Sequence, residues 1–289
     1  MKKLLVLALV LLGFSSCGKL LDPLYVQLPG TNWYYELDGK RAFINFSDDG
    51  KASVLQKEPS SGLAHEINGE YTVAGHNVDI FGSDGTTFNL TRTFSHMKNS
   101  KNKNMTRFFP QSYDNLAGKV WAGVDRADLY VYYFKDGENL VRSSFTVTQY
   151  EEGVPYGWTK KTIPYTLNGN TFTSEGKTGW LYSEVMLLDG RWHTCFPAPS
   201  GGSGSAEMAG TVWIFKGGTS TSAGLLVFDS GYSFTRIQMA STSTAFLMNR
   251  GTYTQEGNVL KMNLDGLQDV CTVSGNTFRF MERTYGLLN

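Results

Sequence analysis

The sequence predicts an all-β protein of three tandem antiparallel units, each a β-sandwich or small β-barrel, behind a cleavable N-terminal leader. Three observations carry this prediction. One pattern occurs three times: Leu28-Pro29-Gly30-Thr31-Asn32-Trp33 recurs as Leu116-Ala117-Gly118-Lys119-Val120-Trp121 and as Met208-Ala209-Gly210-Thr211-Val212-Trp213. The tryptophans stand 88 and 92 residues apart, a domain-sized period and not that of a solenoid repeat. Downstream of each lies a second landmark, Tyr71 to Gly75, Tyr165 to Gly169 and Tyr253 to Gly257. Finally, 32 glycines, 13% aromatic residues and short alternating apolar runs point to strands joined by tight turns.

The leader comes first. Lys2 and Lys3, an apolar run from Leu4 to Leu12 and Phe14-Ser15-Ser16-Cys17 are the parts of a bacterial lipoprotein signal peptide. The run is too short to span a bilayer, which takes about 20 apolar residues. The expected layout is a signal peptide over residues 1–16 and a lipidated tether over 17–27. Phe14 departs from the leucine usual in a lipobox, the cleavage motif that Phe14 to Cys17 otherwise resembles. Acyl chains on Cys17 would hold the protein to the membrane durably, since each buried methylene contributes about 0.8 kcal/mol. Gly18 after the cysteine resembles the signal that releases lipoproteins to the outer membrane, and a single Asp22 is a poor match to surface-export signals. The expected location is therefore the outer membrane, periplasmic face.

The first β repeat is expected over 28–95 and the second, rich in aromatics, over 112–198. The third is expected over 207–289. In each, the tryptophan strand is followed by strands such as Ala42 to Phe46, Leu129 to Phe134 and Leu225 to Phe228, then by a glycine turn. The Tyr landmark reads as a hairpin in which Gly and Asn supply the turn. Between repeats, residues 96–111 read as a basic polar linker and 199–206 as a Gly/Ser linker.

On these motifs the chain resembles the tandem lipocalin-like or META-like β-domain lipoproteins of Bacteroidota. In that family Leu-x-Gly-x-x-Trp opens a unit and Tyr-x-Val-x-Gly-Asn marks a later hairpin. The resemblance implies small antiparallel barrels or sandwiches on an exported lipoprotein, and no catalytic set. Repeat one departs by an inserted His76 between Gly75 and Asn77, which leaves its turn type open.

Charge narrows the partners. The 26 basic and 26 acidic residues balance, and 24 basic residues remain once Lys2 and Lys3 are removed; no global field favours nucleic acid. Lys98, Lys101, Lys103 and Arg107 read as a solvated linker, with phosphate contact as the alternative. Cys195 and Cys271 would be the two thiols left in an oxidising compartment, as a bridge or as two buried hydrophobes. His193 beside Cys195 is too small a set for a metal site, so no metal or cofactor is expected.

Catalysis is not expected either. His65, His76, His96 and His193 form no zinc motif and no nucleophile elbow is present. Asp48-Asp49-Gly50 and Glu151-Glu152-Gly153 have the composition of turns, and Asp125 with Asp128 completes the carboxylate pairs. Trp33, Trp121 and Trp213 are expected in cores. Trp158, Trp180 and Trp192 all fall in repeat two, with Tyr150, Tyr156 and Tyr182 around them. Tyr156, Trp158 and Trp180 are the candidate ligand-binding residues, suited to stacking a glycan, peptide or other apolar ligand. The alternatives are an envelope scaffold that contacts another envelope protein, and a carboxylate-dependent hydrolase.

Overall fold

The computed structural model describes residues 24–288 apart from 59–62, 126–127, 147–149, 152–153, 156–158, 197–207, 210, 216–221, 229–231 and 241–244. Cys17, the signal peptide and the Gly/Ser linker lie outside the described residues. Every named element is a β-strand, and the strands form three nearly closed antiparallel barrels.

The first barrel runs β1 (Thr31–Leu37), β2 (Lys40–Phe46), β3 (Lys51–Lys57), β4 (Ala64–Ala74), β5 (Asn77–Gly82), β6 (Thr87–Arg92), β7 (Met97–Lys98) and β8 (Thr106–Arg107). From β1 to β7 each strand pairs with the next, and β8 returns to β1 through Trp33 opposite Arg107. The second comprises β9 (Val120–Asp125), β10 (Asp128–Phe134), β11 (Asn139–Thr146), the ribbon β12 (Tyr150–Glu151) with β13 (Val154–Pro155), β14 (Thr159–Pro164), β15 (Thr166–Asn168), β16 (Thr171–Ser174), β17 (Lys177–Leu181), β18 (Val185–Leu188) and β19 (Arg191–Phe196). It closes where Cys195 of β19 faces Trp121 of β9. At the other end of the sheet, β14 and β15 are one segment bent at Tyr165, so the path β14 to β15 returns on itself.

The third barrel runs β20 (Val212–Phe215), β21 (Ser222–Phe228), β22 (Ser233–Ala240), β23 (Ala245–Glu256), β24 (Val259–Leu264), β25 (Leu267–Thr272), β26 (Thr277–Phe280) and β27 (Arg283–Leu287). It closes through Trp213 opposite Leu287. The chain divides into two compact units, one holding most of the first barrel and the other the second and third barrels together with Gln56–Glu66. Within that second unit, Ala64 and His65 pair with Phe246 and Ala245.

Each barrel has its own core. Trp33, Ile44, Phe46 and Ile80 lie in the first, Trp121, Phe134, Phe172 and Met186 in the second, and Trp213, Phe228, Phe234 and Phe280 in the third. Alternation along each strand puts these residues on one face, the inside of the barrel. The tyrosine of the second landmark meets the last phenylalanine of the strand after the tryptophan strand there. Phe46 packs edge-on to Tyr71 at 5.0 Å, Phe134 to Tyr165 at 4.9 Å, and Phe228 to Tyr253 at 5.1 Å, the arrangement favoured by ring quadrupoles.

The opening motif works as a plug. Leu28, Leu116 and Met208 are buried, and a backbone turn follows each, as when Thr31 N–H donates to the Leu28 carbonyl at 3.0 Å. In the first barrel Thr31 Oγ1 also donates to that carbonyl at 2.5 Å and accepts from Trp33 Nε1 at 2.9 Å. Thr211 makes the same pair of bonds in the third, at 2.5 Å to Met208 O and 2.7 Å from Trp213 Nε1. Lys119 replaces the threonine in the second barrel, and the buried Trp121 Nε1 has no partner.

Two expectations are corrected. His76 is not an insertion: Ala74 pairs with Asn77 as Asn168 pairs with Thr171 and Glu256 with Val259. Gly75-His76 therefore occupies the place of Gly169-Asn170 and Gly257-Asn258. Gly75, Gly169 and Gly257 have φ of +61°, +59° and +60°, with no positive φ at the residue after each, the pattern of a II′ hairpin turn.

The segment 96–111 is not a free linker. Met97 and Met105 are buried in the first core, β7 pairs with β6, and β8 closes the barrel. Lys101 is ion-paired with Asp38 at 2.7 Å, and Arg107 lies over the Phe109 ring. The end of the expected tether is likewise engaged, since Val26 N–H donates to Thr93 O at 2.9 Å and Tyr25 stacks on Phe94.

Candidate functional site

The second barrel differs from its neighbours in what its inner face carries toward one end. Along β10, Phe134, Tyr132 and Tyr130 share the inner face, and the register sets Tyr132 beside Arg142 and Tyr130 beside Ser144 on β11. Arg142 is in turn opposite Lys161 of β14. On the far wall Leu188 faces Arg191, and Met186 faces His193. The apolar floor of Phe134, Leu140, Met186 and Leu188 thus gives way to a polar cup of about 420 Å³, lined by Tyr130, Tyr132, Arg142, Ser144, Lys177, Leu188, Asp189, Arg191 and His193.

Glycine makes room for the histidine. A Cβ at Gly123 would stand 2.6 Å from His193 Cδ2 and 2.7 Å from the Trp192 carbonyl oxygen, so β9 must be bare at this point for the imidazole to lie across it. Tyr132 meets the same ring edge-on at 5.1 Å. His193 is 4% exposed and its Nδ1 has no hydrogen-bond partner. Burial holds its pKa down at about 4, an effect that the backbone at Arg191 and Met186 only partly offsets. Burial also pushes the Tyr132 phenol up to about 12 and the Cys195 thiol up to about 11. All three are uncharged at neutral pH.

The charges of the cup are arranged at its rim. Glu175 accepts from Arg142 Nη1 at 2.7 Å and from Lys161 Nζ at 2.5 Å, and hydrogen bonding from Lys161 lowers its pKa first of all. Lys177 pairs with Asp189. Four cations, Arg142, Lys161, Lys177 and Arg191, stand against three carboxylates, Glu175, Asp189 and the Asp128 that is hydrogen-bonded to Tyr130, so the cup and its rim keep a small basic excess.

The candidates named from sequence lie elsewhere. Tyr156 and Trp158 fall outside the described residues. Trp180 is 44% exposed on the outer face of β17, where it faces Thr171 and Leu187. Trp192 and Tyr182 are buried, their ring centroids 5.7 Å apart, and the Trp192 backbone N–H donates to Glu66 Oε1 at 3.1 Å. Cys195 and Cys271 are not joined in a disulfide and lie in separate cores. His193 and Cys195 do share the inner face of β19, but no group of three metal-ligating side chains exists among the described residues.

The carboxylate pairs are placed too. Asp49 turns the chain at β2–β3, its carboxylate held down to about 2, first by the Ser47 hydroxyl. Asp125 and Asp128 face each other across β9 and β10. The sequence reading missed Arg142 and Tyr132 because Leu129-Tyr130-Val131-Tyr132-Tyr133-Phe134 is apolar or aromatic on both faces, which hides the inner one. The change from apolar Leu140-Val141 to polar Arg142-Ser143-Ser144 along the next strand was the available signal.

No family model and no curated protein matches this chain. Among solved structures, the DNA polymerase III subunit beta from Pseudomonas aeruginosa aligns over 91% of this chain and 92% of its own, at 9% identity and a TM-score of 0.16. A DNA polymerase sliding clamp from Pseudomonas aeruginosa aligns over 90% and 92%, at 8% and 0.14. The Helicobacter pylori beta clamp bound to DNA ligase peptide aligns over 91% of each chain, at 10% and 0.13. TM-scores this low say nothing of this protein's fold or role.

Proposed function

We propose that this protein is a non-catalytic lipoprotein of the cell envelope, anchored through Cys17 to the periplasmic face of the outer membrane, that binds an acidic saccharide in the cup of its second barrel. The observation that carries the reading is the net-basic cup itself, with guanidinium and ammonium groups at the rim above a floor of Tyr132 and Leu188. Cations at a rim recognise carboxylates, and tyrosine faces with a few convergent polar groups suit sugar rings. The buried ionisable groups on the inner face of β19, His193 in the cup and Cys195 in the core beyond it, support binding over turnover. A thiol at about 11 is no nucleophile at neutral pH, and a histidine at about 4 is a poor proton acceptor there.

The test is titration of the purified chain with trigalacturonate and, in parallel, with neutral maltotriose. Trigalacturonate should bind, and Arg142→Ala should weaken it at least tenfold, which is about 1.4 kcal/mol. Equal binding of the two sugars in the cup, or no effect of Arg142→Ala, would count against the reading. Anchoring is tested separately: Cys17→Ala should move the protein from the membrane to the soluble fraction.

A further inference from the structure

We infer that the first barrel carries a second, separate binding groove on its outer face, built for the hydroxyl groups of a neutral saccharide. Residues 77, 79 and 81 of β5 and 87, 89 and 91 of β6 point outward, because Val78, Ile80, Phe88 and Leu90 are buried. The registers set Asn77 beside Thr91 and Asp79 beside Asn89. The chain from Asn99 to Asn102 folds over this ladder and leaves a groove of about 600 Å³, lined by Asn77, Asp79, Asn89, Thr91, Asn99 and Asn102 among others, within the range of small-ligand sites.

Asn99 identifies the groove as a site and not a crease. Its residue is 3% exposed, and its Oδ1 accepts the backbone N–H groups of Lys101 and Lys103, each at 3.0 Å. Those two bonds fix the amide's orientation, so Nδ2 is the atom left over, and it is buried without a partner. A buried donor left unmade costs about 1–3 kcal/mol. It asks for an acceptor oxygen, which a cation cannot supply.

The facing groups ask for the complement. Asn89 Nδ2 donates to Asp79 Oδ1 at 2.8 Å, which leaves Asp79 Oδ2 to accept from a ligand. The side chains of Asn77 and Asn102 are unspent, and Asn102 is held at φ +59°, a conformation asparagine tolerates better than most residues. A ligand must therefore donate and accept within a short span and carry little charge. Sugar hydroxyls do both. Phe81, half-exposed and two residues along the same face from Asp79, stands about 7 Å away by strand geometry and offers a flat apolar surface for the C–H face of a sugar ring.

The test is amide-resolved NMR of the full mature chain with maltotriose, mannotriose and N-acetylchitotriose, each at millimolar concentration. At least one should shift the Asn99 side-chain amide together with those of Asn77 or Asn89. Silence of all these amides toward all three sugars would overturn the inference. Asn99→Asp keeps the acceptor for Lys101 and Lys103 but replaces the free donor, and it should weaken the active sugar at least tenfold with the methyl spectrum unchanged. Should that variant misfold, Asn89→Ala on the exposed face should show the same loss; undiminished binding in a folded variant would overturn the inference. Because the shifts are read at named residues of the first barrel, the outcome is independent of trigalacturonate binding in the second.

Discussion

The first and third barrels lock their opening strand with a threonine that joins a backbone carbonyl to an indole N–H, and the second does not. Thr31 and Thr211 make both bonds; Lys119 reaches instead toward the Tyr113 ring, 5.1 Å from its centroid, and Trp121 Nε1 is left buried and unpaired. The same barrel has Tyr130, Arg142 and His193 at one end of its inner face, where a polar cup replaces apolar filling. Equivalent positions in the first barrel hold apolar residues, with Val54 where Arg142 stands. A fold repeated three times thus shows which parts of its core are required and which are free to change: the Trp, Phe and Tyr rings are kept throughout, and the lock and the barrel end are not.

This contrast can be broken or sharpened by measurement, each barrel being followed through its own amides by native-state hydrogen exchange. The largest effect is expected from the shared rings. Phe46→Ala, Phe134→Ala and Phe228→Ala should each destabilise their own barrel by about 3–5 kcal/mol; a small cost at Phe134 alone would mean that the second core is already loose.

Next comes acid. His193 has its pKa lowered in the folded state, so the unfolded chain takes up the proton first and stability falls as pH drops from about 6.5 toward 4. The loss should be on the order of 3 kcal/mol and confined to the second barrel. His193→Gln should flatten this slope above pH 5, before carboxylates titrate, and an unchanged slope would assign it to other groups.

The lock itself is worth less. Thr31→Val and Thr211→Val should cost about 1–2 kcal/mol each, whereas Lys119→Thr should stabilise the second barrel by about 1 kcal/mol by giving Trp121 its partner. No gain there would show that the unpaired indole is tolerated without cost. The smallest change is expected at the hairpins, where Gly75→Ala and Gly257→Ala should each cost about 1 kcal/mol from the positive φ.

Much of the architecture was legible because its signals are local. Trp33, Trp121 and Trp213 marked first strands, and the Tyr-to-Gly spacing marked the central hairpin. Asp48-Asp49-Gly50 was correctly read as a turn. The failures share a cause: burial decided by distant chain. Met97 and Met105 are single apolar residues in a run of lysine and asparagine, and what makes that run a pair of strands is the edge of β6 for β7 and, far away in sequence, the edge of β1 for β8. The cup was hidden for the same reason, since closure of the barrel, and not any local pattern, turns Tyr130 and His193 toward one another. His76 was misread because Asn77 after it suggested a Gly-Asn turn one residue late.

Consecutive strand order has a consequence for how the chain reaches this state. Every pairing within a barrel but the last joins neighbours, so hairpins can form as soon as their strands exist, and one non-local step remains: the final strand must find the strand that bears the tryptophan. That step carries most of the loop-closure entropy. In a tandem array it also has competitors, because β19 or β27 could close on the wrong tryptophan strand and tie two barrels together. The closing pairs are not copies of one another: β9 sets bare Gly123 against His193, and β20 sets Ile214 opposite Gly286.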